Sequence, residues 1–125
     1  MIIEGIIKNY NKILREARNP EDRRAREIAL ETIATAIKEV DPARCIRRSL
    51  KIKDSRLLIN GYEIELTKFR NIYVVGGGKA SGRMAEALEE ILGEKITYGI
   101  VNVLRGTKKQ FKTSRIELNE ATHPI

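Results

Sequence analysis

Residues 71–84 read NIYVVGGGKASGRM, an apolar strand followed by three glycines and the start of a helix. Glycines 76–78 carry no side chains, so backbone N–H groups there can approach a ligand closely. The first turn of a helix also leaves N–H groups unpaired at the positive end of the helix dipole. Lys79 adds a full positive charge at the same place. The stretch is typical of an anion-binding turn, although a purely structural tight turn fits the same spacing.

The sequence after the glycines predicts one strand–helix–strand unit. A helix is expected from Ala80 to Leu92, with Gly93 ending it. The apolar run Tyr98–Leu104 predicts a second strand, and a helix between two parallel strands makes a βαβ unit. After a polar loop at Arg105–Ser114, residues 115–118 predict a further short strand.

The residues before the glycines predict a β-hairpin preceded by helices. The pair Asn60-Gly61 separates two β-rich runs, which is a strong hairpin signal. Apolar spacing and two cap-then-proline pairs predict three helices, at about 2–17, 20–40 and 42–50. The expected fold class is therefore α/β, with three N-terminal helices, a β-hairpin and a partial Rossmann-like βαβ unit with parallel strands.

Composition favours one ordinary domain. The chain has 125 residues, of which 42% are apolar and 33% are charged, so it is expected to fold around a single core. No run of membrane-spanning length and no secretory signal is visible, so a cytoplasmic location is expected. Cys45 is the only cysteine, which excludes an internal disulfide. Many Lys, Arg, Glu and Ile residues and a single glutamine, Gln110, suggest a thermophilic origin.

The net charge of +7 suggests a nucleic-acid partner, but the distribution of charge argues against one. Basic and acidic residues alternate through residues 21–27, as on a solvated helix face. With no Trp and two Phe, aromatic platforms for stacking bases are few. Nucleic acid is therefore not the expected partner, while a non-enzymatic module for acidic partners stays open.

The glycine turn departs from both common nucleotide-binding motifs. A P-loop requires Ser or Thr after Gly-Lys, and Ala80 stands there instead. In the dinucleotide fingerprint Ser81 replaces the third glycine, and the next strand ends in Leu104-Arg105 rather than in an acidic residue. An arginine at that point suits a 2′-phosphate, so an NADPH-dependent reductase also stays open.

Three segments together resemble a known family. They are VVGGGKASGRMA at 74–85, DPAR at 41–44 and EATHP at 120–124. In order and spacing they are similar to the amino-terminal part of the glycerate 2-kinase family, whose members are sometimes labelled hydroxypyruvate reductase. The resemblance implies phosphorylation of D-glycerate on its 2-hydroxyl with ATP and a divalent metal such as Mg²⁺, giving 2-phosphoglycerate. It also implies a cleft between a larger Rossmann-like domain and a smaller domain.

The resemblance makes Lys79 the active-site lysine, within reach of the glycerate carboxylate or of the transferred phosphoryl group. Phosphoryl transfer uses positioned positive charge, which a lysine beside a helix N-terminus supplies. Substrate-binding roles are expected for six further residues: Gly76, Gly77, Gly78, Ser81, Arg105 and His123. Arg105 comes from the topology, since it follows the second strand, and His123 from the family's His-Pro pair, here preceded by Thr122. A solvated Lys79, a helix-start hydrogen bond for Ser81 and an uninvolved His123 are the alternatives, and no metal ligand is expected.

The resemblance also sets the expected domain organisation. Residues 1–125 are expected to form one incomplete domain, the N-terminal part of a larger Rossmann-like domain, with a helical segment at 1–55 and the hairpin and βαβ segment at 56–125. The family's nucleotide-binding loops follow the His-Pro pair, so the nucleotide site is expected outside this chain and the chain alone is expected to be inactive. Glycerate is the expected small-molecule partner, no membrane is expected, and an exposed sheet edge favours a homo-oligomer.

Overall fold

A computed structural model describes residues 2–122, which divide into one compact unit up to Asp41 and a second from Pro42. The helices are α1 (Ile2–Ile6), α2 (Tyr10–Arg15), α3 (Pro20–Glu39), α4 (Pro42–Ser49) and α5 (Ser81–Leu92). The strands are β1 (Leu50–Lys53), β2 (Arg56–Ile59), β3 (Tyr62–Glu65), β4 (Tyr73–Gly77), β5 (Tyr98–Leu104) and β6 (Ile116–Ala121). Among the helices in residues 2–122, none combines the length and the apolar character that crossing a bilayer requires. The α/β fold class is confirmed.

The first unit is helical and has a small core. Tyr10, Leu14 and Leu30 are buried together where α2 meets α3. The predicted start of α3 is confirmed, because the Asn19 side chain accepts a hydrogen bond from the Asp22 N–H at 2.7 Å and Pro20 occupies the first helical position.

The first predicted helix is divided in two, so four helices rather than three precede the first strand. The break lies between Ile6 and Tyr10, where the Tyr10 N–H donates to the Ile7 carbonyl at 3.1 Å. Asn9 occupies the cap position of α2 with a non-helical backbone. Asparagine favours caps and turns over helix interiors, which explains why an uninterrupted apolar spacing does not continue as one helix.

The second unit begins with α4 and a three-stranded antiparallel sheet in the order β1-β2-β3. The predicted hairpin is confirmed, with Ile59 paired to Tyr62 across a turn in which Asn60 and Gly61 both have positive φ. Strand β1 was not predicted. It pairs with β2 through a second two-residue turn, in which Asp54 adopts a φ of 56°. An aspartate tolerates that conformation but is a weaker turn signal than Asn-Gly.

The predicted βαβ unit is confirmed and extended into a three-stranded parallel sheet in the order β4-β5-β6. Strand β6 is longer than predicted and pairs with β5 along its whole length. The core of this unit lies between α5 and one face of the sheet, and Ile96 and Ile116 are its largest fully buried side chains. The opposite face exposes apolar groups, with Val75 80% exposed. The expected domain organisation stays a prediction.

Candidate functional site

The site is built around the turn that joins β4 to α5. Strand β4 ends at Gly77 and α5 begins at Ser81. Gly78 has a φ of 122°, and an added Cβ there would meet no atom within 4 Å. The glycine is therefore required by the backbone conformation rather than by a close neighbour. The carboxyl end of β4 thereby faces the first turn of α5, as the sequence predicted.

The Ser81 side chain links this turn to strand β5 by hydrogen bonding. Its hydroxyl lies 2.6 Å from the Gly78 carbonyl and 2.6 Å from the Asn102 carbonyl, and the residue is 8% exposed. A hydroxyl has one proton to donate, and these two acceptors share it. Ser81 does not cap α5, which has no side-chain cap hydrogen bond, and its substrate-binding role stays a prediction.

The start of α5 is also held by a loop residue. The Phe111 ring packs against Gly82 so closely that a Cβ at Gly82 would lie 2.4 Å from its Cε2 atom. The loop around Phe111 is tied to α5 by two carboxylates: Glu86 accepts from the Lys112 N–H at 2.7 Å, and Glu89 accepts from the N–H groups of residues 114–116. The orientation of the helix N-terminus therefore depends on the loop between β5 and β6.

A small pocket lies at the carboxyl ends of the parallel strands. Its volume is about 180 Å³, and it is lined by Gly78, Lys79, Asn102, Val103, Leu104, Ala121 and Thr122. Lys79 is exposed, and within residues 2–122 no carboxylate lies at ion-pair distance from it. Lys79 is the charged residue in this lining. The pocket therefore offers a small anion the Lys79 ammonium, two residues before α5 begins.

The three glycines that the sequence predicted to bind one anion do not line the same pocket. Gly78 lines the pocket, whereas Gly76 and Gly77 are strand residues paired with β5. Gly76, Gly77 and Ser81 line a separate apolar groove of about 200 Å³ beside Ile46 of α4. Substrate binding by these two glycines stays a prediction.

Arg105 follows the pocket residue Leu104 but is not part of the pocket lining. Its backbone N–H donates to the Ala121 carbonyl at 2.9 Å, and the side chain is exposed. The following turn is held by Glu120, whose carboxylate accepts from the N–H groups of Gly106 and Lys108 at 3.1 Å each. His123 lies outside the described residues.

Sequence reasoning missed Asn102. It lies third from the end of β5, and its side chain belongs to the face of the sheet opposite α5, together with Tyr98 and Ile100. Asn119 of β6 donates through Nδ2 to the Asn102 Oδ1 atom at 2.9 Å. The available signal was an asparagine inside an otherwise apolar strand. At the other end of the same face, a hydrogen bond to Glu117 raises the pKa of Tyr98.

The pocket at Lys79 is too small for a nucleotide with its metal ion. No group of three or more His, Cys, Asp or Glu residues in that range could hold a metal. Sites for drug-sized ligands have volumes of about 300–1,000 Å³, well above that of the pocket at Lys79. Glu120, a carboxylate next to the pocket residue Ala121, is already bound to two backbone N–H groups.

Comparisons with known proteins support the resemblance seen in the sequence. A family model described as a domain of unknown function, DUF4147, matches residues 28–125. A glycerate 2-kinase of Pyrococcus horikoshii is 37% identical over 100 residues, which are 80% of this chain and 21% of that protein. A D-glycerate 2-kinase of Thermotoga maritima is 30% identical over 101 residues, 80% of this chain and 20% of that protein.

A solved structure is similar as well. The crystal structure of a protein from Pyrococcus horikoshii OT3 matches with a TM-score of 0.68 and 36% identity, over 81% of this chain and 22% of that one. The chain thus spans about a fifth of the length of these relatives, in their amino-terminal portion.

Proposed function

The chain belongs to the DUF4147 family, and from this premise we propose that it is the amino-terminal part of a glycerate 2-kinase. The pocket at Gly78 and Lys79 then binds the glycerate carboxylate or the phosphoryl group that glycerate receives. The observation that supports this is that Gly78 and Lys79, which directly precede α5, line one small pocket at the carboxyl ends of the parallel strands. A cytoplasmic location is part of the same proposal, and cell fractionation tests it.

The chemistry of the pocket suits a small acid. A lysine ammonium attracts negative charge and can stabilise the charge that spreads over phosphoryl oxygens during transfer. Lys79 has no competing carboxylate within residues 2–122, so its charge is available to a ligand.

ATP and Mg²⁺ are part of the proposed reaction of the whole enzyme and would supply the phosphoryl group and neutralise its charge. Residues 2–122 offer neither a metal-binding group nor a nucleotide-sized pocket at Lys79. We therefore propose that this chain binds glycerate without phosphorylating it. An assay for 2-phosphoglycerate with the purified chain, ATP and Mg²⁺ is expected to show no product, and robust product formation would contradict the proposal.

Binding is tested by titrating the ¹⁵N-labelled chain with D-glycerate, 2-phosphoglycerate and inorganic phosphate, followed by NMR. We expect backbone signals of residues 77–82 to shift. Lys79→Met is expected to weaken binding about tenfold or more, because a hydrogen bond to a charged group is lost. Lys95→Met is the matched control, since Lys95 is exposed and lies in the turn after α5. Equal affinity of Lys79→Met and wild type would exclude the proposed site, as would the absence of any shift.

We also propose that the chain self-associates through an edge of the parallel sheet. Among the described residues, 2–122, strands β4 and β6 each pair only with β5, so each leaves one row of backbone groups unpaired by the sheet. Light scattering at increasing concentration is expected to show a rising mass for the wild type. Val75→Lys on β4 is expected to reduce that rise, and Tyr62→Lys, an equally exposed change in the other sheet, is the control. A concentration-independent monomer mass would contradict this.

A further inference from the structure

Three residues form a row across the parallel sheet next to the pocket. Gly77 is paired with Asn102, and Asn102 with Asn119, so the row crosses β4, β5 and β6 at one level. A Cβ added to Gly77 would lie 3.5 Å from the Cβ of Asn102, which places both on the same face of the sheet. Because residue 77 is a glycine, β4 places no side chain beside Asn102 at this level of the sheet.

The hydrogen bond within the row orients the Asn102 amide. The Asn119 Nδ2 atom donates to the Asn102 Oδ1 atom at 2.9 Å, so the acceptor side of the Asn102 amide faces Asn119. The NH₂ group is attached on the other side of the same planar amide, which is the side of Gly77. Within residues 2–122 this NH₂ group has no hydrogen-bond acceptor. Asn102 also lines the pocket that contains Lys79.

We propose that Asn102 is a specificity-determining residue for a small carboxylate or phosphate anion held at Lys79, and that Asn119 positions it. An amide whose oxygen is engaged presents only donors, and donors suit an anion oxygen or a hydroxyl oxygen. The Lys79 ammonium attracts an anion from many angles, whereas the planar NH₂ group of Asn102 donates hydrogen bonds in fixed directions and so can orient the bound anion. The inference rests on the proposed function, since it concerns the same pocket.

The first test removes the donors without adding charge. Asn102→Ala is expected to weaken D-glycerate binding about tenfold in the NMR titration, because the bound anion loses a charge-assisted hydrogen bond. Asn71→Ala is the matched control, since Asn71 lies before β4, at the opposite end of the same sheet. In the wild type, the side-chain NH₂ signals of Asn102 are expected to shift as glycerate or inorganic phosphate is added. This measurement needs no variant and therefore does not depend on the folding of one.

The second test is designed to reverse the orientation of the Asn102 amide. The carboxylate introduced by Asn119→Asp only accepts hydrogen bonds, so Asn102 is expected to turn its NH₂ group toward it and its oxygen toward the pocket. Binding is then expected to fall at least as much as in Asn102→Ala. Asn71→Asp adds the same charge at the opposite end of the sheet and is expected to leave affinity within about twofold, because exposed charges are screened over about 10 Å.

The outcomes separate the two proposals. If Lys79→Met loses binding while both asparagine variants bind like the wild type and the Asn102 NH₂ signals stay in place, the role of Asn102 is overturned and the proposed function survives. If the wild type binds neither glycerate nor phosphate, both are overturned. Loss of binding in Asn102→Ala and Asn119→Asp, with the NH₂ shift in the wild type, supports the role of Asn102.

Discussion

The helical unit and the α/β unit are stabilised by interactions of different range. In the helical unit the core is small, and the start of α3 is stabilised within one turn by Asn19 and Asp22, although Arg23 and Arg26 also donate to carbonyls of α2. In the α/β unit the contacts that shape the candidate site join distant parts of the chain, as between Gly82 and Phe111 or between Ser81 and Asn102.

The two units are therefore expected to differ in how a substitution changes their stability. Where contacts are local, the effect of a change follows the rules of helix capping and helix propensity. Where contacts join residues far apart in the chain, the effect of a substitution depends on packing against residues that cannot be identified from the adjacent sequence. Identical substitutions placed in the two units therefore test the comparison directly.

The largest effect is expected from Gly82→Ala. The new methyl group would lie 2.4 Å from the Phe111 ring, so the ring or the helix must move, and overpacking of this kind costs about 1–3 kcal/mol. Gly5→Ala in α1 places the same methyl group where nothing lies within 4 Å, and alanine favours a helix, so stability is expected to rise by up to about 1 kcal/mol. Urea unfolding measures both.

A double-mutant cycle with Phe111 tests whether contact with its ring causes the loss of stability in Gly82→Ala. If the methyl group acts through the ring, Phe111→Leu is expected to reduce the cost of Gly82→Ala in a double-mutant cycle. If the two changes in the free energy of unfolding simply add, the Phe111 ring is not the reason that Gly82→Ala is destabilising. If Gly82→Ala and Gly5→Ala change the free energy of unfolding equally, the two units do not differ in the way described above.

A smaller effect is expected from Asn19→Ala. The Asn19 side chain accepts from the Asp22 N–H, and loss of such a cap costs about 1 kcal/mol. Asn9→Ala provides the matched control, because Asn9 is the cap residue of α2 but makes no side-chain cap hydrogen bond. Hydrogen exchange of α3 amides should speed up in Asn19→Ala and stay nearly unchanged in Asn9→Ala. Similar behaviour of both variants would argue against capping as the local determinant.

The smallest effect is expected from titrating Asp22. A hydrogen bond from Arg26, aided by the Arg18 N–H, lowers the pKa of Asp22 from 3.8 to about 2. Because the folded-state pKa is the lower one, ionised Asp22 stabilises the fold above pH 3.8, and this contribution disappears as the pH falls to about 2. Asp22→Asn should therefore lower the melting temperature slightly at pH 7 and not at pH 2.

Glu21→Gln, a change to an exposed carboxylate in the same turn, is the control for Asp22. It is expected to alter the melting temperature less than Asp22→Asn at pH 7. A difference between Asp22→Asn and wild type that persists unchanged to pH 2 would mean that the Arg26 contact does not stabilise the unit.

Local signals in the sequence were enough for most of the fold. The Asn60-Gly61 turn, the Asn19-Pro20 helix start and the β4–α5–β5 succession were predicted and are confirmed. Each depends on backbone preferences of a few adjacent residues. Strand β1 was missed because its turn uses Asp54, and the break before α2 was missed because apolar spacing continues through it.

The candidate site was predictable only in part. The turn at Gly78 and Lys79 was predicted because glycines between a strand and a helix leave backbone N–H groups open to a ligand. The separation of Gly76 and Gly77 from the pocket depends on sheet register, which pairs them with Val101 and Asn102. Asn102 was missed because its partner, Asn119, lies on another strand.

By itself, the sequence determined most of the helices and strands, the start of α3, the Asn60-Gly61 turn and the motifs shared with glycerate 2-kinases, since each of these depends on residues close together in the chain. Only the tertiary structure decided that Gly82 must accommodate Phe111, that Ser81 is bonded to β5, and that an amide row meets the lysine pocket. Such contacts arise when the strands pair and the loop folds over α5, which brings together groups whose separation along the chain carries no signal of their contact.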